Sequence, residues 1–392
     1  MNILYLTYAN PEKENRGDHR YSMDTLRKLK NKETHIHLVM MDDRDNPYNR
    51  KTSELNNYCE TVTVVPFEAK SLIAMALSKY PASIANRLSM TFIKVVKGIL
   101  NEGDIDVIVI NHFKLSYIIE YLKSYKQKKI IITHDIEQEL SKSVYRGMPN
   151  IIKRIVYYWD YIKVRHYENR YIKQFDLITT ICDADKKYFA ITTNKPTILL
   201  TPIVNIKVSN TKKNDTPKRN VIVCGNWMWG PKLENLKLLL AAKNFNLLKE
   251  AGIHVTIVGH ADNKTIKEVM SDHSNVTMTG SVESVLPYYL DADIALVPEL
   301  LGGGFKLKIA EAVSQNVPFI AIKEAMTDED MKNGENCICV SNFEEMIIAT
   351  IALLSDKKTL SENAQEMMAH KYSLENNQQK VMKAINSLYE NR

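Results

Sequence analysis

The residues best suited to bind a ligand form one short segment behind an apolar run. The run DIALVP (293–298) has the pattern of a buried strand, and three consecutive glycines (302–304) and an amphipathic helical pattern follow it. Glycines leave backbone N–H groups open, and a helix start carries partial positive charge, so this order of elements favours a phosphate group. Lys306 and Lys308 fall in the first helical turn, where a cation is unfavourable unless an anion binds nearby. The segment therefore predicts a phosphate-binding loop.

A carboxylate, Glu311, follows on the same helical pattern. Beside a diphosphate it can accept hydrogen bonds from both hydroxyls of a ribose, a role that suits only Glu or Asp. The alternative interpretation makes the glycines an ordinary turn, both lysines solvated and Glu311 a surface residue. The combination of strand, glycines, lysines and glutamate favours a nucleotide diphosphate over that alternative.

The first half of the chain also offers polar residues behind its apolar runs. They are Gly17 and Arg20 after residues 2–7, His112 after residues 106–110, and His134 with Asp135 after residues 129–133. Ligands of open parallel sheets bind beyond the carboxyl ends of the strands, so these residues are expected to line a cleft. A single histidine is more often structural, but two at the same edge favour a role in binding.

The elements that must position these residues are short β-branched runs that alternate with helical patterns. Seven runs precede residue 205 and five follow residue 219: 2–7, 35–40, 62–67, 106–110, 129–133, 176–181, 197–200, 220–225, 254–259, 275–280, 293–298 and 318–322. Runs that are apolar throughout indicate strands buried on both faces, as in a parallel sheet covered by helices. The sequence therefore predicts an α/β fold of two Rossmann-like, doubly wound domains.

Composition and length agree with two domains. The chain has 392 residues, of which 45% are hydrophobic and 25% charged, and it has no stretch of about 18 uninterrupted apolar residues. The polar segment 205–219 is the predicted linker between the domains 1–204 and 220–372, and residues 373–392 form a predicted helix that packs back towards the first domain. The five scattered cysteines are typical of buried thiols in a reducing compartment. The first residues of the chain have the pattern of a strand and not that of a signal peptide.

Several segments resemble the GT-B glycosyltransferases, in particular glycosyltransferase family 4. GGGFKLKIAEAVSQNVPFIA (302–321) is similar to the nucleotide-sugar signature of that family, and NVIVCGNWMWGPKLENLKLLL (220–240) to the opening strand and loop of its C-terminal domain. VTMTGSVESVLPYYLDADIALVP (276–298) is similar to the part that approaches the base. The resemblance covers nearly the whole chain. It implies two Rossmann-like domains facing a central cleft, and retaining transfer of a sugar without a metal or other cofactor.

The resemblance also implies roles for single residues. Glu311 matches the second glutamate of a Glu-x7-Glu motif, which binds ribose, whereas the first glutamate falls on Gly303. Asn226 occupies the position at which the family usually has an arginine, and Lys232 takes the place of the lysine that the family usually has a few residues later. The further implied donor-binding residues are Gly17, Arg20, Ser281, Val282, Gly303, Gly304, Phe305, Lys306 and Lys308.

Three of the implied residues act in the reaction: His112, Lys308 and Glu311. Lys308 is the first choice for stabilising the leaving diphosphate, with Lys306 beside it. His112 is expected to position the donor sugar or the acceptor and not to act as a general base, while His134 and Asp135 are expected on the acceptor side of the cleft. Because a glycine, Gly303, occupies the position of the first glutamate, the resemblance does not identify the donor sugar.

Charge is unevenly distributed and predicts an anionic partner for the first half. Residues 1–205 hold 31 Lys and Arg against 23 Asp and Glu, whereas the rest of the chain holds 21 against 23. Residues 142–173 contain eight basic, two acidic and seven aromatic residues, which fits peripheral docking on anionic lipid, and residues 69–100 add an apolar stretch. The alternative is an ordinary helix with a solvated charged face. No nucleic-acid motif is present, so nucleic acid is not an expected partner.

The predicted protein is thus a retaining hexosyltransferase at the cytoplasmic face of the cell membrane. It would move a sugar from a UDP- or GDP-sugar to a lipid-linked saccharide or a cell-surface polysaccharide such as capsule or O-antigen. Because the first glutamate of the motif is missing, a catalytically silent GT-B scaffold subunit remains an alternative. A GT-B nucleotide-sugar epimerase is the other.

Overall fold

The chain folds into two units, each built around a parallel β-sheet. A computed structural model describes residues 1–12, 17–42, 48–49, 51–148, 150–204, 218–300, 306–355 and 360–390. One unit comprises Met1–Ile203 together with Leu374–Arg392, and the other comprises Val204–Ser373. Of the predicted linker 205–219, residues 205–217 lie outside the described residues.

Parallel strands form the sheet of the first unit. They are β1 (Asn2–Thr7), β2 (His35–Asp42), β3 (Thr61–Pro66), β4 (Val107–Asn111), β5 (Lys128–Ile132), β6 (Leu177–Thr180) and β7 (Thr197–Leu199). Their order in the sheet is β3-β2-β1-β4-β5-β6-β7. The strand order reverses between β1 and β4, and open α/β sheets bind ligands beyond the carboxyl ends at such a point.

Helices cover both faces of this sheet. They are α1 (Gly17–Leu29), α2 (Leu72–Leu77), α3 (Ala82–Ala85), α4 (Met90–Glu102), α5 (Glu137–Arg146), α6 (Ile151–Tyr171) and α7 (Asp183–Thr193). Short 3-10 turns cover Glu54–Asn57, Phe113–Tyr121 and Ile172–Gln174. Neighbouring residues of β1 belong to different cores: Leu4 packs with Phe92 of α4, whereas Tyr5 packs with Leu26 of α1. This two-sided burial explains why the strand runs are apolar throughout.

The second unit repeats the arrangement. Its strands are β8 (Asn220–Cys224), β9 (His254–Val258), β10 (Val276–Met278), β11 (Ile294–Val297), β12 (Phe319–Ile322) and β13 (Ile338–Val340), in the order β10-β9-β8-β11-β12-β13. Its helices are α8 (Gly230–Leu240), α9 (Asn246–Glu250), α10 (Asn263–Asp272), α11 (Leu286–Asp291), α12 (Leu307–Ser314), α13 (Phe343–Ser355) and α14 (Leu360–Lys371), with a 3-10 turn at Lys323–Ala325. Here the strand order reverses between β8 and β11.

A last helix, α15 (Leu374–Glu390), belongs to the first unit. Its Val381 and Ile385 are buried in the same core as Tyr5 and Leu26. The Asn377 side chain adds polar contacts, since its Oδ1 accepts a hydrogen bond from the backbone N–H of Thr201 at 2.9 Å. The first unit is therefore assembled from both ends of the described chain.

The predicted fold class is confirmed: both units are doubly wound α/β structures. All twelve predicted apolar runs form strands, and β13 is an additional edge strand. All five cysteines are free, and all but Cys339 are buried. Among the described residues, no helix is both long enough and apolar enough to cross a membrane.

Candidate functional site

Three lysines of the second unit converge on one glutamate. Glu299 lies just beyond β11, Lys232 lies in α8 behind β8, and Lys306 and Lys308 lie at the start of α12. The Nζ of Lys308 donates a hydrogen bond to Oε1 of Glu299, the Nζ of Lys306 lies 3.2 Å from Oε2, and the Nζ of Lys232 lies 3.9 Å from Oε1. The cluster therefore occupies the point where the strand order of this sheet reverses.

Most of this cluster is removed from solvent. Glu299 is 4% exposed, Lys306 5% and Lys308 9%. Burial alone would raise the pKa of the Glu299 carboxyl group, but the three ammonium groups outweigh it and lower that pKa to about 2. Glu311 also acts electrostatically on Lys232, so three ammonium groups and two carboxylates give these five side chains a formal charge of +1. A buried charge is stable only beside its opposite, so the cluster favours binding of a further anion.

The structure explains why two cations stand at the start of a helix. Lys306 occupies the N-cap position of α12, and Lys308 lies in its first turn. The sequence predicts a nearby anion for them, and Glu299 is such an anion within the chain. Because both lysines are buried, the alternative of solvated lysines is wrong. Glu299 is not among the predicted site residues, although an acidic residue directly behind a strand is a signal that could have found it.

Glu311 is held by a tyrosine that is also not among the predicted residues. The hydroxyl group of Tyr289 in α11 lies 3.3 Å from Oε2 of Glu311 and 3.3 Å from the carbonyl oxygen of Lys308. Burial raises the pKa of Tyr289 well above its usual range, so the hydroxyl keeps its proton and can donate. Glu311 itself is half-buried. Its carboxylate is therefore fixed beside the lysine-bearing turn and still accessible.

Backbone contacts shape the loops behind β8 and β9. Gly259 has a φ of +130°, and a Cβ atom there would lie 1.8 Å from the carbonyl oxygen of Gly225. The indole ring of Trp227 covers Gly225, where a Cβ atom would lie 2.6 Å from the ring, and the backbone N–H of Trp227 donates to the backbone carbonyl of His260 at 2.8 Å. Only glycine fits at these two positions.

The remaining predicted residues of the second unit lie around these loops. Asn226 is exposed, and its Oδ1 accepts a hydrogen bond from the backbone N–H of Met228 at 3.2 Å. Ser281 is exposed, with Oγ 2.6 Å from Nδ1 of His260, and Val282 packs on the core that contains Tyr289. The predicted residues Gly303, Gly304 and Phe305 lie outside the described residues.

In the first unit, the two predicted histidines lie side by side. The ring centroids of His112 and His134 are 4.5 Å apart, at the ends of β4 and β5. His112 has a φ of 82°, an uncommon backbone conformation for a non-glycine residue, and its Nδ1 accepts a hydrogen bond from the N–H of Lys114 at 3.3 Å. His134 lies 2.8 Å through Nε2 from Oδ1 of Asn111, and burial lowers its pKa to about 3. His134 is therefore neutral near pH 7 and suited to hydrogen bonding.

The other predicted residues of the first unit are less enclosed. Gly17 is the first residue of α1 and is exposed, as is Arg20 one turn later. Asp135 is half-buried beside Glu137; burial, followed by the Asp135 charge, raises the pKa of Glu137 to about 8. The structure thus brings the two histidines together but leaves Arg20 at the surface.

The comparison with known proteins agrees with this geometry. Residues 218–356 match the family model described as Glycosyl transferases group 1. The match spans 139 of the 392 residues of the chain. The matched stretch contains Glu299, Glu311 and all three lysines of the cluster, so the candidate site lies within the part of the chain that resembles the family. The predicted resemblance to this family is confirmed.

Solved structures resemble the whole chain. Sucrose-phosphate synthase (tll1590) from Thermosynechococcus elongatus has a TM-score of 0.71 and 15% identity over 100% of both chains. Anabaena Alr3699/HepE in complex with UDP has a TM-score of 0.64 and 14% identity over 99% of this chain and 100% of its own. A glycosyltransferase from Rickettsia africae ESF-5 has a TM-score of 0.65 and 13% identity over 100% and 99%. At these identities the likeness shows the fold, which is GT-B as predicted. A search of curated sequences finds no match.

Proposed function

We propose that this protein is a glycosyltransferase that takes a sugar from a UDP- or GDP-sugar. The buried cluster of Lys232, Lys306 and Lys308 around Glu299 is the observation that carries the proposal. A nucleoside diphosphate would provide the further negative charge that the cluster favours, and the Glu311 carboxylate would accept the ribose hydroxyls. The GT-B neighbour HepE was solved in complex with UDP and with UDP-glucose, which supports UDP as the first nucleotide to test.

In this reaction the departing nucleoside diphosphate gains negative charge as the sugar leaves. Lys308 and Lys306 would stabilise that charge, and Glu299 holds both ammonium groups in place before the donor binds. Because side-chain cations provide the charge, we expect transfer to continue in the presence of EDTA. By the resemblance to family 4, the configuration at the anomeric carbon would be retained. The histidine pair of the first unit would position a sugar by hydrogen bonds.

Glu311→Ala should weaken UDP binding by about 10- to 100-fold. A hydrogen bond to a charged group contributes about 1.5–3 kcal/mol, and the variant removes the carboxylate that would bind the ribose. Isothermal titration of UDP, GDP and CMP measures the change, and Glu366→Ala on the exposed side of α14 is the matched control.

The outcomes of this titration separate the alternatives. Unchanged UDP affinity in Glu311→Ala would contradict the ribose role. If the wild-type protein binds none of the nucleotides, the transferase proposal fails and the silent scaffold is favoured. Turnover of the donor without any acceptor would instead favour the epimerase.

Binding of UDP should weaken as the pH rises from 7 to 9. Burial and the nearby Lys308 ammonium lower the pKa of Lys232 to about 8, so Lys232 is charged below that pH and loses its charge above it. The diphosphate should bind the charged form of Lys232. Because only one proton is lost, the affinity can fall by at most about tenfold per pH unit. We therefore expect the affinity to fall about 3- to 10-fold between pH 7 and pH 9. Lys232→Met should bind UDP more weakly at pH 7 and show a flat profile. If Lys232→Met kept the wild-type dependence of UDP affinity on pH, a group other than Lys232 would be responsible for it.

The first unit contains a cavity that suits a lipid-linked acceptor. It has a volume of about 370 Å³ and lies beyond the ends of β2 and β3. Met41, Phe67 and Leu88 give it apolar walls, whereas Lys70, Arg87 and Glu68 give it charged walls with a net formal charge of +1. We propose that the apolar part binds the lipid side of the acceptor and the cations bind its phosphate.

A further inference from the structure

The amino-terminal part of α6 carries large apolar side chains that face solvent. Ile151, Ile152, Ile155, Val156 and Trp159 are between 53% and 71% exposed, and we call them the α6 stripe. At the period of an α-helix these five residues fall on one side, within an arc of about 140°. A helix of a globular protein normally turns such a stripe towards the core.

The later part of α6 is the one that packs on its own unit: Val164, Tyr167 and Tyr171 are buried, whereas residues 151–159 are all exposed. The rings of Tyr158 and Tyr161 lie against the ring of Tyr145 in α5, with centroid distances of 5.4 and 5.2 Å. The helix is therefore attached mainly through its later, buried part, and the α6 stripe in its first part lies outside the core.

Helix α2 adds a second apolar segment next to the stripe. Its Leu72, Ile73 and Leu77 are between 73% and 83% exposed, and none of its residues is buried. The Nζ of Lys163 in α6 donates to the carbonyls of Ala76 and Ser78 at 2.9 and 2.8 Å, which ties the end of α2 to α6 one turn from Trp159. We call the α6 stripe and α2 together the apolar surface.

Other parts of the apolar segment 69–100 do not contribute to this surface. Phe92, Ile93 and Val96 of α4 are buried in the core of the first unit. Of the apolar segment 69–100, the apolar surface therefore includes only α2.

The charges around the apolar surface are positive. The two acidic residues within 142–173 are both bound inside the unit: Asp160 accepts from the N–H of Ala82 at 2.8 Å, and buried Glu168 accepts from the N–H of Glu137 at 2.9 Å. Lys153 and Arg154, in the same turns as the stripe, are exposed. A second copy of this chain would place like charges against each other, whereas a bilayer of anionic lipid offers both acyl chains and opposite charge.

We propose that the apolar surface inserts into the headgroup region of an anionic lipid bilayer. The α6 stripe and the apolar side chains of α2 enter the upper acyl region, Trp159 lies at the interface, and Lys153 and Arg154 contact lipid phosphates. The proposal goes beyond the transferase function and does not depend on it, because it concerns binding alone.

Co-sedimentation with vesicles tests it on the full chain. The wild-type protein should bind vesicles of phosphatidylglycerol and phosphatidylcholine at least about tenfold more tightly than vesicles of phosphatidylcholine alone, and 0.5 M salt should weaken this binding. Ile155→Ser/Trp159→Ser should lose about tenfold or more in affinity. The matched control is Ile191→Ser in α7, which removes a side chain that is 81% exposed elsewhere in the same unit.

A charge variant and the oligomeric state complete the test. Lys153→Glu/Arg154→Glu should lose about tenfold on anionic vesicles, while Lys123→Glu/Lys126→Glu, which changes two exposed lysines elsewhere in the first unit, should bind as the wild type does. Equal binding to both vesicle types, no binding, or wild-type binding by the stripe variant would overturn the proposal. The proposal would also be overturned if the protein bound no vesicles and light scattering showed a wild-type dimer that is absent in Ile155→Ser/Trp159→Ser.

Discussion

Replacing Lys308 with methionine should lower kcat for sugar transfer by about 10²- to 10³-fold, the loss typical when one preorganised charge-stabilising donor is removed. The Lys308 ammonium group is buried and bound to Glu299, so it needs little rearrangement when charge develops on the diphosphate. Lys232 and Lys306 remain beside Glu299 in the variant, so the carboxylate keeps cationic partners.

Steady-state kinetics at saturating donor measures this effect on kcat separately from KM. Lys237→Met, on the exposed side of α8, is the matched control and should leave kcat unchanged. A thermal melt of each variant ensures that folded protein is compared. If Lys308→Met raised KM and kept kcat, the lysine would bind the ground state and the transition state equally, and the proposed stabilisation of the leaving group in the transition state would be wrong.

Glu299→Gln should lower the free energy of unfolding by about 3–5 kcal/mol, because it removes the carboxylate shared by three ammonium groups, two of them buried. The direction of the change in stability with pH follows from the pKa of Glu299, which is lowered to about 2. Its contribution to stability is fully present above the unfolded pKa near 4.5 and is lost as the pH falls towards 2. The difference between wild type and variant should therefore be largest above about pH 5 and should shrink in acid.

Binding of UDP should partly restore the stability of Glu299→Gln. The diphosphate would provide the negative charge that the variant lacks, so UDP should raise the melting temperature of the variant more than that of the wild type. Glu250→Gln, at an exposed position of α9, is the control for loss of a carboxylate without this environment. A variant as stable as the wild type, or one that UDP stabilises less, would contradict the role assigned to Glu299.

The sequence predicts elements better than it predicts the partners of side chains. Apolar runs such as β1 and β8 identify strands because burial on both faces leaves a local record in the residue types. The contact between Lys232 and Glu299 leaves none, since it arises only when the sheet order places β8 beside β11. The same holds for Tyr289, whose hydroxyl reaches Glu311 from another helix.

The surface of α6 could also be predicted only in part from the sequence. Basic and aromatic residues in 142–173 predict a contact with anionic lipid, and composition alone is enough for that. Which part of the helix meets solvent depends on the fold: Val164, Tyr167 and Tyr171 are buried in the unit, whereas residues 151–159 are exposed.

The position of α15 has a consequence for synthesis on the ribosome. Its Val381 and Ile385 complete a core whose other members, such as Tyr5 and Leu26, are translated hundreds of residues earlier. The first unit emerges first but can finish folding only after the second unit has been made. Until then, the nascent chain carries an open apolar groove where α15 will pack, and chaperones bind such exposed surface.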